Sequence, residues 1–94
     1  MIIIAGHSKA RTAVERDAAV ASFTPMIEKA RQQDGCLDMA IGADPLDPER
    51  INLFECWRDQ TSLNAWRKIA RGPKVSLRDV QVKLYRTEKA EKPF

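Results

Sequence analysis

The sequence is short of nearly everything that metal or disulfide chemistry needs. It has one histidine, His7, and two cysteines, Cys36 and Cys56, with no Cys-x-x-Cys pair and no histidine near either. That spacing fits neither a zinc site nor a disulfide framework, so no metal is expected, and both thiols read as reduced core residues. Long apolar runs are missing too. The longest, Met1 to Ala5, falls far short of the ~20 residues that cross a bilayer. No charged segment precedes it as a secretory signal would require, and a cytoplasmic location is the expectation. Charge of one sign is scarce: 16 Lys and Arg stand against 13 acids, a net +3, too small an excess to mark a nucleic-acid footprint. Neither nucleic acid nor membrane is expected as a partner.

What is present suits one small domain over residues 1–94. Of the apolar residues, 12 are alanine, which leaves enough large side chains for one core and not two. Ile2, Ile3 and Ile4 open a β-branched run through His7, a first strand buried on both faces. Thr12 with Glu15 three residues on is the capping-box spacing, in which the hydroxyl takes an orphan amide and the Glu side chain reaches back to the cap. A helix follows, with Ala13, Val20, Phe23, Ile27 and Ala30 on its packing stripe. Pro25 predicts a kink in it, and Gly35 a left-handed stop after it ends near Gln33.

Leu37, Met39, Ile41 and Ala43 alternate with Cys36, Asp38, Ala40 and Gly42 as a second strand. The two Asp-Pro steps of DPLDPER predict a hairpin loop. Arg50 to Arg58 forms the third strand, with Ile51, Leu53, Glu55 and Trp57 on one side and Asn52, Phe54 and Cys56 on the other. Asp59 caps a second helix bearing Leu63, Trp66 and Ala70 on one stripe, ended by Gly72-Pro73. Val80, Val82 and Leu84 alternate with Gln81, Lys83 and Tyr85 as the last strand, before a charged tail over about residues 87–94.

Strand, helix, strand, strand, helix, strand is an α+β order. With right-handed crossovers it folds as a ferredoxin-like βαββαβ domain, one four-stranded antiparallel sheet with two helices on one face. The other face stays wet although Phe54, Cys56 and the first strand make it apolar. Such a surface predicts a homodimer in which two sheets pack face to face.

A hairpin turning near residues 46–47 sets Leu37 against Trp57, Met39 against Glu55, and Ile41 against Leu53 on one face. Glu55 is then an acid on an apolar surface. It either finds an Arg or Lys partner or is desolvated into a proton shuttle. His7, with an ordinary pKa of ~6.5, is either a hydrogen-bonded residue at a sheet edge or the base that takes a proton at neutral pH. Trp57 and Trp66 face each other between sheet and helices, as core or as the walls of a cavity for a flat aromatic ligand. Arg67, Lys68, Arg71 and Lys74 form a cation cluster without an intervening acid, a solvated helix end or a lure for an anionic substrate.

The stretch from Gly35 to Trp66, GCLDMAIGADPLDPERINLFECWRDQTSLNAW, resembles the antibiotic biosynthesis monooxygenase family of small dimeric α/β-barrel proteins. The likeness lies in the Gly-Cys-Leu opening, the Asp-Pro hairpin, Glu55-x-Trp57 and Leu63. Trp57 matches the tryptophan that lines the cavity in polyketide-oxidising members, and His7 falls where haem-degrading members carry a polar first-strand residue. The asparagine those polyketide enzymes carry four residues before that tryptophan is Leu53 here, their helix tyrosine is Leu63, and a histidine common in relatives is Trp66. The later haem-ligating histidine is missing, so the resemblance does not imply haem. An arginine beyond the second helix has counterparts in Arg71 or Arg78.

The resemblance implies a cofactor-independent monooxygenase that oxidises a small phenol, quinol or enol with dioxygen, acting without metal or flavin. The expected catalytic residues are His7, with Glu55 as partner or alternative. The expected substrate-binding residues are Trp57, Trp66, Met39, Leu53 and Arg78, around a sealed apolar chamber. The alternatives are a non-catalytic dimeric binder of a small metabolite and an isomerase on the same fold. An RNA-recognition domain shares the element order but needs aromatics on its first strand, and none is there.

Overall fold

A computed structural model describes residues 1–94. Seven elements follow in order: β1 (Ile2–Lys9), α1 (Ala13–Ser22), α2 (Thr24–Arg31), β2 (Cys36–Ala43), β3 (Arg50–Trp57), α3 (Gln60–Ile69) and β4 (Arg78–Arg86). The strands form one antiparallel sheet in the order β2-β3-β1-β4, which is the ferredoxin-like arrangement. The first helical crossing is broken in two at Phe23, and Pro25 lies in the first turn of the second piece. There its missing N–H costs nothing. What the sequence predicts as a kink is a helix end and a fresh start.

Local chemistry sets the helix ends. The Glu15 amide donates to Thr12 Oγ1 at 3.1 Å, but the Glu15 carboxylate turns to Arg11, which donates to both its oxygens at 3.1 and 3.0 Å. Only half of the expected capping box forms, because a guanidinium one turn back is the stronger partner. Asp59 caps α3 by accepting from the Ser62 amide at 2.8 Å, which lowers its pKa. Gly35 adopts φ 83°, and a Cβ there would strike the Ser62 side chain, so this glycine both reverses the chain and admits α3.

The core lies between the sheet and the helices. Ile2, Ile4, Met39 and Trp57 from the strands meet Ala30 of α2 and Leu63 and Trp66 of α3. In the hairpin the expected pairs Met39 with Glu55 and Ile41 with Leu53 form, but Trp57 pairs with Cys36 and not with Leu37. The register slips between Cys36 and Asp38, a bulge that turns Leu37 out to 55 % exposure. An inserted residue inverts side-chain parity beyond it. A buried arginine secures the hairpin's far end: Arg16 Nη1 donates to the carbonyls of Asp47 and Arg50 at 3.1 Å each.

Candidate functional site

On the helix side of β3, Glu55 and Trp57 are two residues apart and so share a face. The Trp57 indole Nε1 donates to Glu55 Oε1 at 3.0 Å. Trp57 also stacks on Trp66 of α3, with ring centroids 6.0 Å apart and planes 23° from parallel. Met39 closes the group from β2, fully buried, and Leu53 packs on its rim half-buried. The partner anticipated for Glu55 was an Arg or Lys. The structure gives it an indole N–H instead, and no ion pair forms at this carboxylate. The result is a half-buried, hydrogen-bonded acid with no cation to quench it, set beside two aromatic rings.

The tryptophans touch each other across the layer, and Leu63, Ala30 and the β1 isoleucines complete the packing around them. This corrects the expectation of a sealed chamber inside the chain. The four principal clefts all open at the surface, and none is lined by Trp57, Met39 or Glu55. Trp66 shows an edge to one of them, beside Ser62 and Arg58.

His7 lies elsewhere. Ile2, Ile4 and Ser8 of β1 are buried, and Ile4 pairs with Glu55, so even-numbered β1 residues face the helices and His7 faces the open side. It sits between Asn52 of β3 and Gln81 of β4 in register, and its Nδ1 is buried without a hydrogen-bond partner. Strand alternation therefore separates His7 from Glu55 by the thickness of the sheet, and the two do not form a pair on one wall. With His7 on the open side are Phe54, 37 % exposed, Tyr85, 53 % exposed, and Cys56, whose thiol pKa burial pushes up. Cys36, on the other face, is raised by the same cause.

Arg78 is also distant from the tryptophans. It pairs in register with Lys9, at the hairpin end of the sheet, and its guanidinium is held by Glu49 and by Asp79. Arg71 donates to its own neighbour, the Ala70 carbonyl. The arginine in the tryptophan row is Arg86, which pairs with Ile2 as Trp57 does from the other side. Sequence reasoning missed it because the row depends on how far β4 slides along β1, a quantity no side-chain pattern encodes. No three His, Cys, Asp or Glu side chains converge closely enough to hold a metal ion.

The antibiotic biosynthesis monooxygenase family model matches residues 1–70. The chain belongs to that family. The match spans β1 through α3 and leaves β4 outside it, so the arginines beyond residue 70 inherit no role from it. No curated protein matches the chain in sequence. Among solved structures it is similar to a candidate antibiotic biosynthesis monooxygenase from Deinococcus radiodurans, at 18 % identity and a TM-score of 0.73 over 100 % of this chain and 99 % of that one. It is similar too to Rv0793 from Mycobacterium tuberculosis, at 20 % identity and 0.64 over 97 % of each chain. A third likeness is a candidate family member from Chloroflexus aurantiacus, at 22 % identity and 0.66 over 97 % and 96 %. At these identities the likeness establishes a shared fold. No helix is long and apolar enough to cross a membrane.

Proposed function

We propose that the protein is a cofactor-independent monooxygenase acting on a small electron-rich phenol, quinol or enol. The observation that carries this reading is the Glu55 carboxylate, unpaired with any cation and set on an apolar face against the stacked Trp57 and Trp66. A base in such a place removes a proton from the substrate, whose anion then gives an electron directly to dioxygen. In balance, an enolisable CH2 group loses two hydrogens and gains one oxygen atom, and the second oxygen leaves as water. The tryptophans, Met39 and Leu53 orient the flat ring and exclude water. Since the rings are in contact, a substrate enters by parting α3 from the sheet.

A homodimer belongs to the same reading. The open face presents Phe54, Cys56 and Tyr85 around His7 and its unpartnered Nδ1, an apolar surface of the kind that a second sheet covers. His7 is then a second candidate base, serving a site on that face and not the tryptophan site. A non-catalytic metabolite binder is the competing reading, and it needs the same parting of α3 from the sheet. Oxygen uptake with a panel of quinols and anthrones decides. The oxygenase consumes dioxygen and loses at least about a hundredfold in rate in Glu55→Gln, the ordinary scale for removing a general base, while His7→Ala keeps its rate. The reverse pattern moves the site to the open face, and no uptake with any substrate leaves the binder.

A further inference from the structure

The two ends of α3 are held to the rest of the protein in different ways. Its N-terminal end is fastened by backbone, side chain and packing together. Arg58, the residue after β3, donates its backbone N–H to the Gly35 carbonyl at 2.8 Å and its guanidinium to both carboxylate oxygens of Asp34 at 3.1 and 3.0 Å. The same guanidinium reaches Ser62 Oγ of α3 at 3.2 Å, and Asp59 caps the helix through the Ser62 amide. An exposed ion pair alone contributes little. The packing is decisive, because Gly35 sits so near Ser62 that a Cβ on it would fall 2.1 Å from the hydroxyl oxygen.

The C-terminal end has no such fastening. Its last helical bond runs from the Ala70 amide to the Trp66 carbonyl at 2.8 Å, and Ala70 then leaves the helix extended. Residues 71–77 make no backbone hydrogen bond before β4 begins at Arg78. A strap of that length spans up to about 23 Å when extended, which leaves slack. It also stands off from the first helix: a cleft of about 320 Å³ lies between Pro73–Ser76 of the strap and Ala18, Ala19 and Ser22 of α1. Where the strap meets Met26 of α2, a Cβ on Gly72 would still lie 3.6 Å from the sulfur, an ordinary contact. A tight fit at one end and slack at the other make a hinge.

We propose that α3 is a lid that pivots on its Arg58–Asp34–Ser62 end and lifts Trp66 off Trp57, so that the flat aromatic ring of a ligand takes the place of the Trp66 indole. Leu63 lies next to the pivot and moves least. At a rise of about 1.5 Å per residue, Trp66 stands about 6 Å and Ala70 about 12 Å beyond Ser62, so a tilt of about 30° raises them by about 3 and 6 Å. The first of these is close to the carbon–carbon contact distance of about 3.5 Å, the thickness of one aromatic ring. Trp57 and Glu55 both belong to β3 and keep their hydrogen bond during the swing. The uncovered ring face therefore lies beside the carboxylate. The lid rests on the oxygenase reading only for the identity of what passes beneath it.

The test is relaxation-dispersion NMR on the full chain without substrate. Trp57 and Trp66 are the only tryptophans, so labelling with 5-fluorotryptophan gives one fluorine signal for each. Both ring signals exchange at one common rate in the microsecond-to-millisecond range, the Lys68 and Ile69 amides share that rate, and the Ser62 and β3 amides stay flat. Asp34→Ala, at an exposed side chain, loosens the pivot, and exchange then spreads to Ser62 and Leu63. The lid is overturned if neither ring exchanges, if the two rates differ, if Ser62 exchanges as strongly as Ile69 in the parent, or if Asp34→Ala leaves the pattern unchanged. Dioxygen uptake by a chain with static rings denies the lid alone, and exchanging rings without uptake deny the oxygenase alone.

Discussion

The two halves of the sheet carry similar alternation and meet different surroundings. In the β2–β3 half, Met39 and Trp57 are fully buried and Ile51 is 3 % exposed. In β4, Val82 and Leu84 pair with Gly6 and Ile4 and so point to the same side, yet they remain 36 and 39 % exposed, and all nine residues of the strand are exposed. The helices lie over β2 and β3. Alternation names a face, whereas burial needs something to lie on it. The covered half is therefore finished by the chain's own helices, and the helix side of β4 is left without them.

The contrast is broken most strongly at Trp57. Trp57→Ala removes the largest fully buried side chain and costs about 3–5 kcal/mol, read as a fall in the urea midpoint. Gly6→Ala acts on the seam between the halves. A Cβ at Gly6, where φ is 155°, falls 1.9 Å from the Gln81 carbonyl oxygen, so the substitution pushes β4 from β1. It costs more than about 1 kcal/mol, with the loss of amide protection concentrated in β4.

Acid sharpens the contrast, because the hairpin of the covered half is tied together by a carboxylate held well below its ordinary pKa. Asp44 accepts from Asn52 Nδ2 at 2.9 Å and from the Asp47 and Leu46 amides at 2.8 and 3.0 Å, bonds that lower its pKa from 3.8 to about 2. A depressed folded-state value means that its stabilisation is present above pH 3.8 and is lost as pH falls toward 2. Stability of the hairpin declines across that window, and Asp44→Asn flattens the decline in an acid titration followed by amide exchange. The smallest effect is at Leu84. In the dilute chain Leu84→Ala changes stability by no more than about 0.5 kcal/mol, although the same substitution in a covered strand costs several times more.

The element order, both helix N-caps, the Gly35 stop and most of the hairpin register were legible in the sequence, because each rests on a short-range rule. The resemblance over Gly35–Trp66 led to the family. The failures have physical sources. Leu37 is misplaced because a one-residue bulge leaves no trace in an alternating pattern. His7 is put beside Glu55 because a strand that is apolar on both faces does not reveal its own parity, which comes only from Ile4 opposite Glu55. Arg71 and Arg78 are the arginines considered, and Arg86 is not among them, because strand offset is a tertiary quantity. The buried Arg16 is missed because its partners are backbone carbonyls, which no sequence pattern displays.

Concentration-dependent hydrogen–deuterium exchange tests most directly whether β4 draws its cover from a second copy. The account predicts that β2 and β3 amides are protected equally at every protein concentration, while β4 and the Phe54–Cys56 stretch gain protection as concentration rises and lose it in Tyr85→Lys. Full protection of β4 at the lowest concentration, in a chain that sediments as a monomer, would contradict it.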